Sequence, residues 1–158
     1  MTHTLTNTSL TKLQGIHPHL KAVILKAITL TEIDFIVLEG LRSSQRQRKL
    51  VDKGASQTMK SRHITGHAVD LGAYANGNIS WDWKYYYKIA DAVKKAAESE
   101  DIQIRWGGAW HTSLTQYVGT AKELSKEYTQ LRKSQKRKVF LDGPHFELPK
   151  NLYPEGDR

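Results

Sequence analysis

The chain of 158 residues contains no cysteine. Disulfide bonds and thiolate metal ligands are therefore excluded, and a metal site in this protein would have to use histidine and carboxylate side chains. Apolar runs are also short, since none approaches the roughly 20 residues that a membrane-spanning helix requires. We therefore expect no stable insertion into a membrane.

The first residues, Met1 to Thr6, lack a basic stretch followed by an apolar one. A Sec-type signal peptide has that arrangement, so we expect no export by the Sec route. The expected location is the cytoplasm in which the chain is made, and any work outside it would need a different way out.

Acidic residues are outnumbered by basic ones. The chain has 24 lysine and arginine residues against 16 aspartate and glutamate residues, which gives a net charge of +8 and a pI near 9.6. Such a charge favours an anionic partner, whether nucleic acid, an anionic membrane face or the acidic polymers of a cell envelope. The charge alone does not select among these partners.

The length predicts one domain over residues 1–158, with no internal repeat and no linker. Apolar residues recur at helical spacing in four stretches and form short β-rich runs in three. The helical stretches are 9–30, with Pro18 opening its second half, 45–53, 83–99 and 114–131; the β-rich runs are 35–38, 68–71 and 102–106. Helices and short strands without regular βαβ alternation predict an α+β fold.

Two segments carry the side chains best suited to a metal: SRHITGHAVD at 61–70 and DGPHFEL at 142–148. Gly66 permits a turn that brings His63 back toward the strand carrying Asp70, and His145 would join them through folding. A zinc ion that does chemistry takes three nitrogen or oxygen ligands and leaves a fourth position to water. We therefore predict a catalytic zinc site made of His63, Asp70 and His145.

His63 and His67 are also spaced like the two histidines of a helical zinc protease. That motif requires a glutamate directly after the first histidine, where this chain has Ile64. Ile64, Thr65 and Gly66 are in addition poor helix formers. A helical zinc-protease motif is therefore excluded.

Two further residues have side chains suited to hydrolysis. Asp142 lies three residues before His145, and Gly143 and Pro144 keep the connection short and stiff. It can accept a proton from water and deliver it to a leaving amine. Arg42 can offer a fixed cation to a substrate carboxylate or to the oxyanion of a tetrahedral intermediate. Together these residues predict a zinc hydrolase.

The two segments also carry a family resemblance. They read Ser61-x-His63-x-x-Gly66-x-Ala68-x-Asp70 and Asp142-x-x-His145. This pattern resembles the zinc D-alanyl-D-alanine carboxypeptidase and L-alanyl-D-glutamate endopeptidase family, which acts on the peptide stems of bacterial cell walls. Gly40-Leu41-Arg42-Ser43, Trp106-Gly107-Gly108 and His145-Phe146-Glu147-Leu148 are similar to further elements of that family, and the resemblance spans roughly residues 33–149.

The resemblance implies a small antiparallel sheet that carries the zinc site and is flanked by helices. It also implies that His63, Asp70 and His145 bind zinc, that Asp142 is the general base and that Arg42 stabilises the substrate or the transition state. Carboxypeptidase relatives more often have glutamate as the base. The implied activity is that of a phage endolysin, which waits in the host cytoplasm and then cleaves the L-alanyl-D-glutamate bond of peptidoglycan, working as a monomer.

Two departures from the family concern the substrate side. Ala109 stands where the endolysin pattern usually has an acidic residue, and residues 111–139 insert a helix with a strongly basic end. The basic residues are Arg132, Lys133, Lys136, Arg137 and Lys138. We expect this helix to contact the anionic cell wall, with a merely solvated helix face as the alternative.

Two other functions remain open from the sequence. A D-alanyl-D-alanine carboxypeptidase would share the zinc chemistry and differ in the bond cleaved. A basic nucleic-acid-binding module without catalysis would show binding with a steep salt dependence and no response to a chelator. The chain contains no recognised nucleic-acid motif, so we expect no nucleic-acid partner.

Overall fold

A computed structural model describes residues 2–154. The elements in chain order are α1 Asn7–Lys12, α2 Pro18–Leu30, β1 Phe35–Glu39, α3 Ser44–Asp52, β2 Ala68–Ala75, β3 Asn78–Ser80, α4 Trp83–Glu100, β4 Arg105–Gly107, a 3-10 turn Leu114–Gln116, α5 Ala121–Ser134 and β5 Asp142–Glu147. The strands form one antiparallel sheet in the order β1-β2-β5-β4, and β3 pairs with β2. The predicted α+β class, with a small antiparallel sheet flanked by helices, is confirmed.

The sheet has one apolar face and one polar face because side chains alternate along a strand. Val69 and Leu71 of β2 and Phe146 of β5 are fully buried in a core that also contains the apolar residues of α2 and α4. Asp70 lies between Val69 and Leu71, and His145 directly precedes Phe146, so both side chains point to the opposite face. The register pairs Asp70 with His145, which places them side by side.

A bulge in β1 adds a third polar residue to the same face. The register pairs Val37 with Leu71 but Glu39 with Asp70, so one residue is skipped between them. Without the skip, Glu39 would share the apolar face with Val37. The bulge redirects its side chain toward Asp70.

The end of β4 lies unusually close to the start of β5. A Cβ atom on Gly107 would stand 2.0 Å from the backbone oxygen of Asp142, so no other residue fits there without moving the strand. The indole of Trp106 donates a hydrogen bond to the backbone oxygen of Gly143 at 2.7 Å. These contacts fix the backbone of Asp142 against the sheet.

The helix predicted over 114–131 is wrong in its first part. Leu114–Gln116 forms a 3-10 turn, Gly119 adopts a φ of +139°, and Thr120 starts a new helix through a capping box with Glu123. The apolar spacing runs through both pieces, but the cap restarts the helix at Ala121. The helix also ends at Ser134, so Lys136, Arg137 and Lys138 lie in the turn beyond it.

The other predicted elements are confirmed with shifted ends. Pro18 occupies the first turn of α2, and the turn at Asn76 and Gly77 joins β2 to the short strand β3. The strand predicted over 102–106 begins only at Arg105. Within residues 2–154, no helix combines the length and apolar character needed to cross a bilayer.

Candidate active site

His63, Asp70 and His145 converge at one point. One ligand atom from each lies within 4.8 Å of the other two. Nε2 of His63 is 3.2 Å and Nδ1 of His145 is 3.3 Å from the same carboxylate oxygen, Oδ1 of Asp70. Two imidazole nitrogens and a carboxylate oxygen are a donor set that suits a zinc ion with an open fourth position. The structure therefore brings together the three predicted ligands as a group that fits a metal ion.

The backbone of neighbouring loops fixes the orientation of His63. Its Nδ1 donates a hydrogen bond to the carbonyl oxygen of Gly40 at 2.9 Å, which leaves Nε2 to face Asp70. The backbone of Arg42 in turn donates to the carbonyl oxygen of His63 at 3.0 Å. Gly66 takes a φ of +78°, as expected for the turn that returns the loop to β2. A ligand held through its second nitrogen needs little reordering to bind a metal.

Glu147 fixes the orientation of the His145 ring, as Gly40 does for His63. Nε2 of His145 donates to Oε1 of Glu147 at 2.8 Å, so Nδ1 faces Asp70. Arg105 lies 3.5 Å from the other carboxylate oxygen of Glu147. Sequence reasoning gave Glu147 no role, although a His-x-Glu pair in a strand points to one face and was the available signal.

The electrostatics hold Asp70 in its ionised form. Burial opposes its charge, but hydrogen bonds from His145 and His63 outweigh burial and lower the pKa of Asp70 well below its usual range. For His145, burial also opposes the charge, and the hydrogen bonds to Asp70 and Glu147 raise its pKa to about 10. An ionised carboxylate is the form that a metal ligand requires.

Asp142 opens β5 and lines the same cavity as the three ligands. Burial raises the pKa of its carboxyl group, and the negative charge of Asp70 adds to this effect; His145, His63 and Arg42 act in the opposite direction. A carboxylate with a raised pKa holds a proton more readily and is a better base. The position of Asp142 thus agrees with the predicted role, which remains a prediction.

Arg42 is buried in the wall of this cavity and is held by several side chains. Its Nε and NH2 groups donate to the two carboxylate oxygens of Glu39 at 2.8 and 2.7 Å, and NH1 donates to Gln47 at 2.7 Å. NH2 also lies 3.6 Å from Oδ2 of Asp70. Glu39 thus forms an ion pair with Arg42. Sequence reasoning did not find this contact because it depends on the bulge in β1.

The cavity has a volume of about 690 Å³, which is large enough for a peptide segment. The indole of Trp110 stacks on the ring of Phe140, with centroids 5.9 Å apart, and also contacts His145 at 5.3 Å. Phe140 remains 47% exposed at the rim. One wall is therefore apolar and aromatic, and the floor carries the metal-ligand group.

His67 lies outside the group formed by His63, Asp70 and His145. This agrees with the exclusion of a helical zinc-protease motif that would have paired it with His63. The ring of His67 is buried, and its Nδ1 lies 2.7 Å from the hydroxyl of Thr65. It also contacts the ring of His17, with centroids 5.5 Å apart. His67 is thus part of the packing behind the loop that carries His63.

An α+β fold with a His-Asp-His group in a peptide-sized cavity defines a class of metal-site peptidases. The chain matches the family model for phage L-alanyl-D-glutamate peptidase over residues 1–149. It is 31% identical over 106 residues to the L-alanyl-D-glutamate peptidase of Escherichia phage T5, covering 65% of this chain and 77% of that protein. The chain therefore belongs to the phage L-alanyl-D-glutamate peptidase family.

Two other relatives agree with this assignment. The L-alanyl-D-glutamate peptidase of Listeria phage A118 is 31% identical over 78 residues, which cover 49% of this chain and 27% of that protein. The crystal structure of the Serratia marcescens L-Ala D-Glu endopeptidase ChiX matches with a TM-score of 0.74 and 41% sequence identity, covering 94% of this chain and 92% of that one. The expected family is thus confirmed, and these relatives fall on its endopeptidase side.

Proposed function

We propose that this protein is a zinc-dependent endopeptidase that hydrolyses the L-alanyl-D-glutamate bond in the stem peptides of bacterial peptidoglycan. Membership of the peptidase family supports the activity and the substrate. The observation that carries the metal-dependent mechanism is the convergence of His63, Asp70 and His145 within 4.8 Å in the same cavity as Asp142. The choice of zinc rests on the donor set, because imidazole and carboxylate ligands with one open position are typical of catalytic zinc.

His63, Asp70 and His145 would hold the ion, and their second contacts keep the donor atoms in place. Gly40 fixes His63, and Glu147 fixes His145. When bound, zinc supplies a Lewis acid and lowers the pKa of water from about 15.7 to about 7. The reaction then requires a proton transfer, and Asp142 is the residue proposed to carry the proton.

In the proposed reaction, Asp142 accepts a proton from the attacking water as the water oxygen bonds to the alanyl carbonyl carbon. The same carboxyl group then gives that proton to the D-glutamyl nitrogen as the carbon–nitrogen bond breaks. The products are a free alanyl carboxylate and a free D-glutamyl amine. Arg42 would place positive charge beside the developing oxyanion, with Glu39 and Gln47 keeping its guanidinium in position.

Product analysis on purified muropeptides tests this function. The zinc-loaded protein should leave L-alanine on the glycan and release a peptide that begins with D-glutamate. Release of free D-alanine would instead identify a D-alanyl-D-alanine carboxypeptidase. Metal analysis of the purified protein should find about one zinc ion per chain, and a chelator should abolish cleavage.

The remaining parts of the proposal concern partners and location. The protein works as a monomer without a nucleic-acid partner, and it stays in the host cytoplasm until it is released to the cell wall. Size-exclusion chromatography and a nucleic-acid binding assay at low salt check the first two points. A dimer would contradict the first point. Tight binding to a nucleic-acid duplex that does not change when a chelator is added would contradict the second.

A further inference from the structure

We propose that Lys60 binds the α-carboxylate of the D-glutamyl residue and makes the enzyme selective for substrates in which that carboxylate is free. The inference rests on the function proposed above. In the scissile bond, D-glutamate contributes its α-amino nitrogen. Its α-carboxylate therefore lies on the carbon next to that nitrogen, while the stem continues through the side-chain carboxyl group.

Among residues 2–154, three lysine or arginine side chains line the cavity, and two of them donate hydrogen bonds within the protein. Arg42 donates to both oxygens of Glu39 and to Gln47. The NH2 group of Arg62 donates to the backbone oxygens of Leu148 and Tyr153 at 2.9 and 2.7 Å. Both guanidinium groups thus have structural partners.

Lys60 is the third cation and differs from the other two. Its side chain is exposed and lines the cavity, and within residues 2–154 its ammonium group has no hydrogen-bond or ion-pair partner. A lysine ammonium is a compact charge on a flexible stem, with three donors that can adapt to a carboxylate. The ammonium group of Lys60 is therefore available to bind an anionic group of the substrate.

Hydrogen bonds order the backbone on both sides of Lys60. Its amide nitrogen donates to the hydroxyl of Thr58 at 2.9 Å, and the carbonyl oxygen of Thr58 accepts a hydrogen bond from Gln47 at 2.6 Å. On the other side, Ser61 accepts a hydrogen bond from the amide of His63 at 3.2 Å. These contacts order the backbone next to Lys60, whose side chain lines the same cavity as His63.

The carboxylates of the cavity favour a mobile cation that can approach an anionic substrate group. Four carboxylates line it: Glu39, Asp70, Asp142 and Glu147. A substrate that carries a carboxylate beside its scissile bond would be repelled by them unless a cation offset the repulsion. Because Arg42 and Arg62 have partners within the protein, Lys60 is the side chain suited to that task.

Two substrates that differ in a single group test the proposal. One is a stem peptide with D-glutamate, and the other has D-isoglutamine, in which an amide replaces the α-carboxylate. Wild-type enzyme should prefer the carboxylate substrate by about tenfold in kcat/KM, the size expected for one hydrogen bond to a charged group. The variant Lys60→Met should lose this preference through slower cleavage of the carboxylate substrate alone.

Matched variants separate recognition from folding. Lys60→Arg should keep most of the preference, and Lys53→Met, which removes an exposed cation outside the cavity, should behave as wild type. Zinc content should be equal in all of them. If Lys60→Met fails to fold, Lys60→Gln allows the same comparison.

Three results would overturn the role of Lys60: a wild-type enzyme indifferent to amidation, a Lys60→Met variant that keeps the preference, or one that loses both activities equally. Failure of the proposed function looks different. In that case, zinc-loaded wild-type protein would cleave neither substrate at the L-alanyl bond.

Discussion

Asp70 and His145 are a register pair across β2 and β5, and Nδ1 of His145 lies 3.3 Å from Oδ1 of Asp70. Because the pair belongs to two hydrogen-bonded strands, its spacing is set by the sheet and not by loop conformation. His63 is the predicted ligand that lies in a loop, and the carbonyl oxygen of Gly40 accepts a hydrogen bond that orients its ring. The three predicted ligands are thus oriented toward one point by contacts within the protein.

Replacement of His63 by alanine should remove zinc and activity together. The substitution deletes one of three donors, and the two that remain no longer match a catalytic zinc site. Metal analysis after dialysis and a muropeptide assay measure the two losses. His3→Ala, far along the chain from the metal-ligand group, is the control and should retain both. A His63→Ala variant that is active with full zinc content would show that His63 is not a ligand.

Replacement of Asp142 by alanine should separate zinc binding from turnover. The variant should hold zinc as the wild type does, because Asp142 is outside the ligand group, yet its kcat should fall by a factor of about 10² or more. Asp52→Ala, at the exposed end of α3, is a matched control that should leave kcat unchanged. Full activity of Asp142→Ala would contradict its assignment as the base.

The sequence predicted the ligand group and the base candidate because their residue types suit a zinc hydrolase and because the two segments resemble the peptidase family. It did not predict Glu39, whose role depends on the irregular pairing of β1 with β2, and the local His-x-Glu signal for Glu147 was not used. The skipped residue in β1 turns Glu39 toward Arg42, whereas Glu147 lies beside His145 because the two residues are two apart on β5 and share its polar face. Local periodicity contains no information about such a skip.

The fold was predictable where the periodicity was long and ended at clear signals. Pro18 marks the start of α2 by its own backbone preference. The break before α5 was missed because Leu114 and Tyr117 continue the apolar spacing of the helix that follows. There the capping box of Thr120 and Glu123 outweighs periodicity.

Glu147 should affect zinc affinity without binding the ion itself. Glu147→Ala removes the acceptor that orients His145, and loss of such a contact typically weakens metal binding by about 10- to 100-fold. Glu147→Gln keeps an acceptor oxygen and should recover part of the affinity. Competition with a zinc chelator measures both values. Equal affinity in Glu147→Ala and the wild type would show that the hydrogen bond does not position the ligand.

Zinc binding should release a proton from His145. Without the ion, Asp70 and Glu147 hold the pKa of His145 at about 10, so the ring is protonated at neutral pH. Zinc requires an unprotonated nitrogen, so binding should displace about one proton from this residue and strengthen as the pH rises. Calorimetry in buffers of different ionisation enthalpy counts the protons.

Glu147→Gln is the control for that count. The substitution removes one of the two hydrogen-bonded carboxylates that raise the pKa of His145, so fewer protons should be released near neutral pH. A binding heat that does not change with the buffer, in the wild type and the variant alike, would rule out the displaced proton.

The basic residues at the end of α5 should strengthen attachment to the cell wall. Arg132 is partly buried and donates through Nε to the backbone oxygen of Lys138 at 2.9 Å, which closes the turn that presents the other cations. No acidic residue lies between Glu127 and Asp142, so this segment of the chain carries only positive charges. Replacing the five cations by glutamine should weaken binding to purified wall at low salt. The five are Arg132, Lys133, Lys136, Arg137 and Lys138.

The size of that effect should depend on salt and on the form of the substrate. Screening at high ionic strength should bring the variant and the wild type together, because exposed charges act over about 10 Å at 0.1 M salt. KM on intact wall should rise, while kcat/KM on a short soluble muropeptide should not change. A control variant with the same net charge shows whether the effect comes from this local surface or from the overall charge of the protein. It replaces five exposed cations elsewhere, which are Lys21, Lys26, Arg48, Lys49 and Lys53. If both variants bind the wall as the wild type does, the basic turn is a solvated surface and takes no part in attachment.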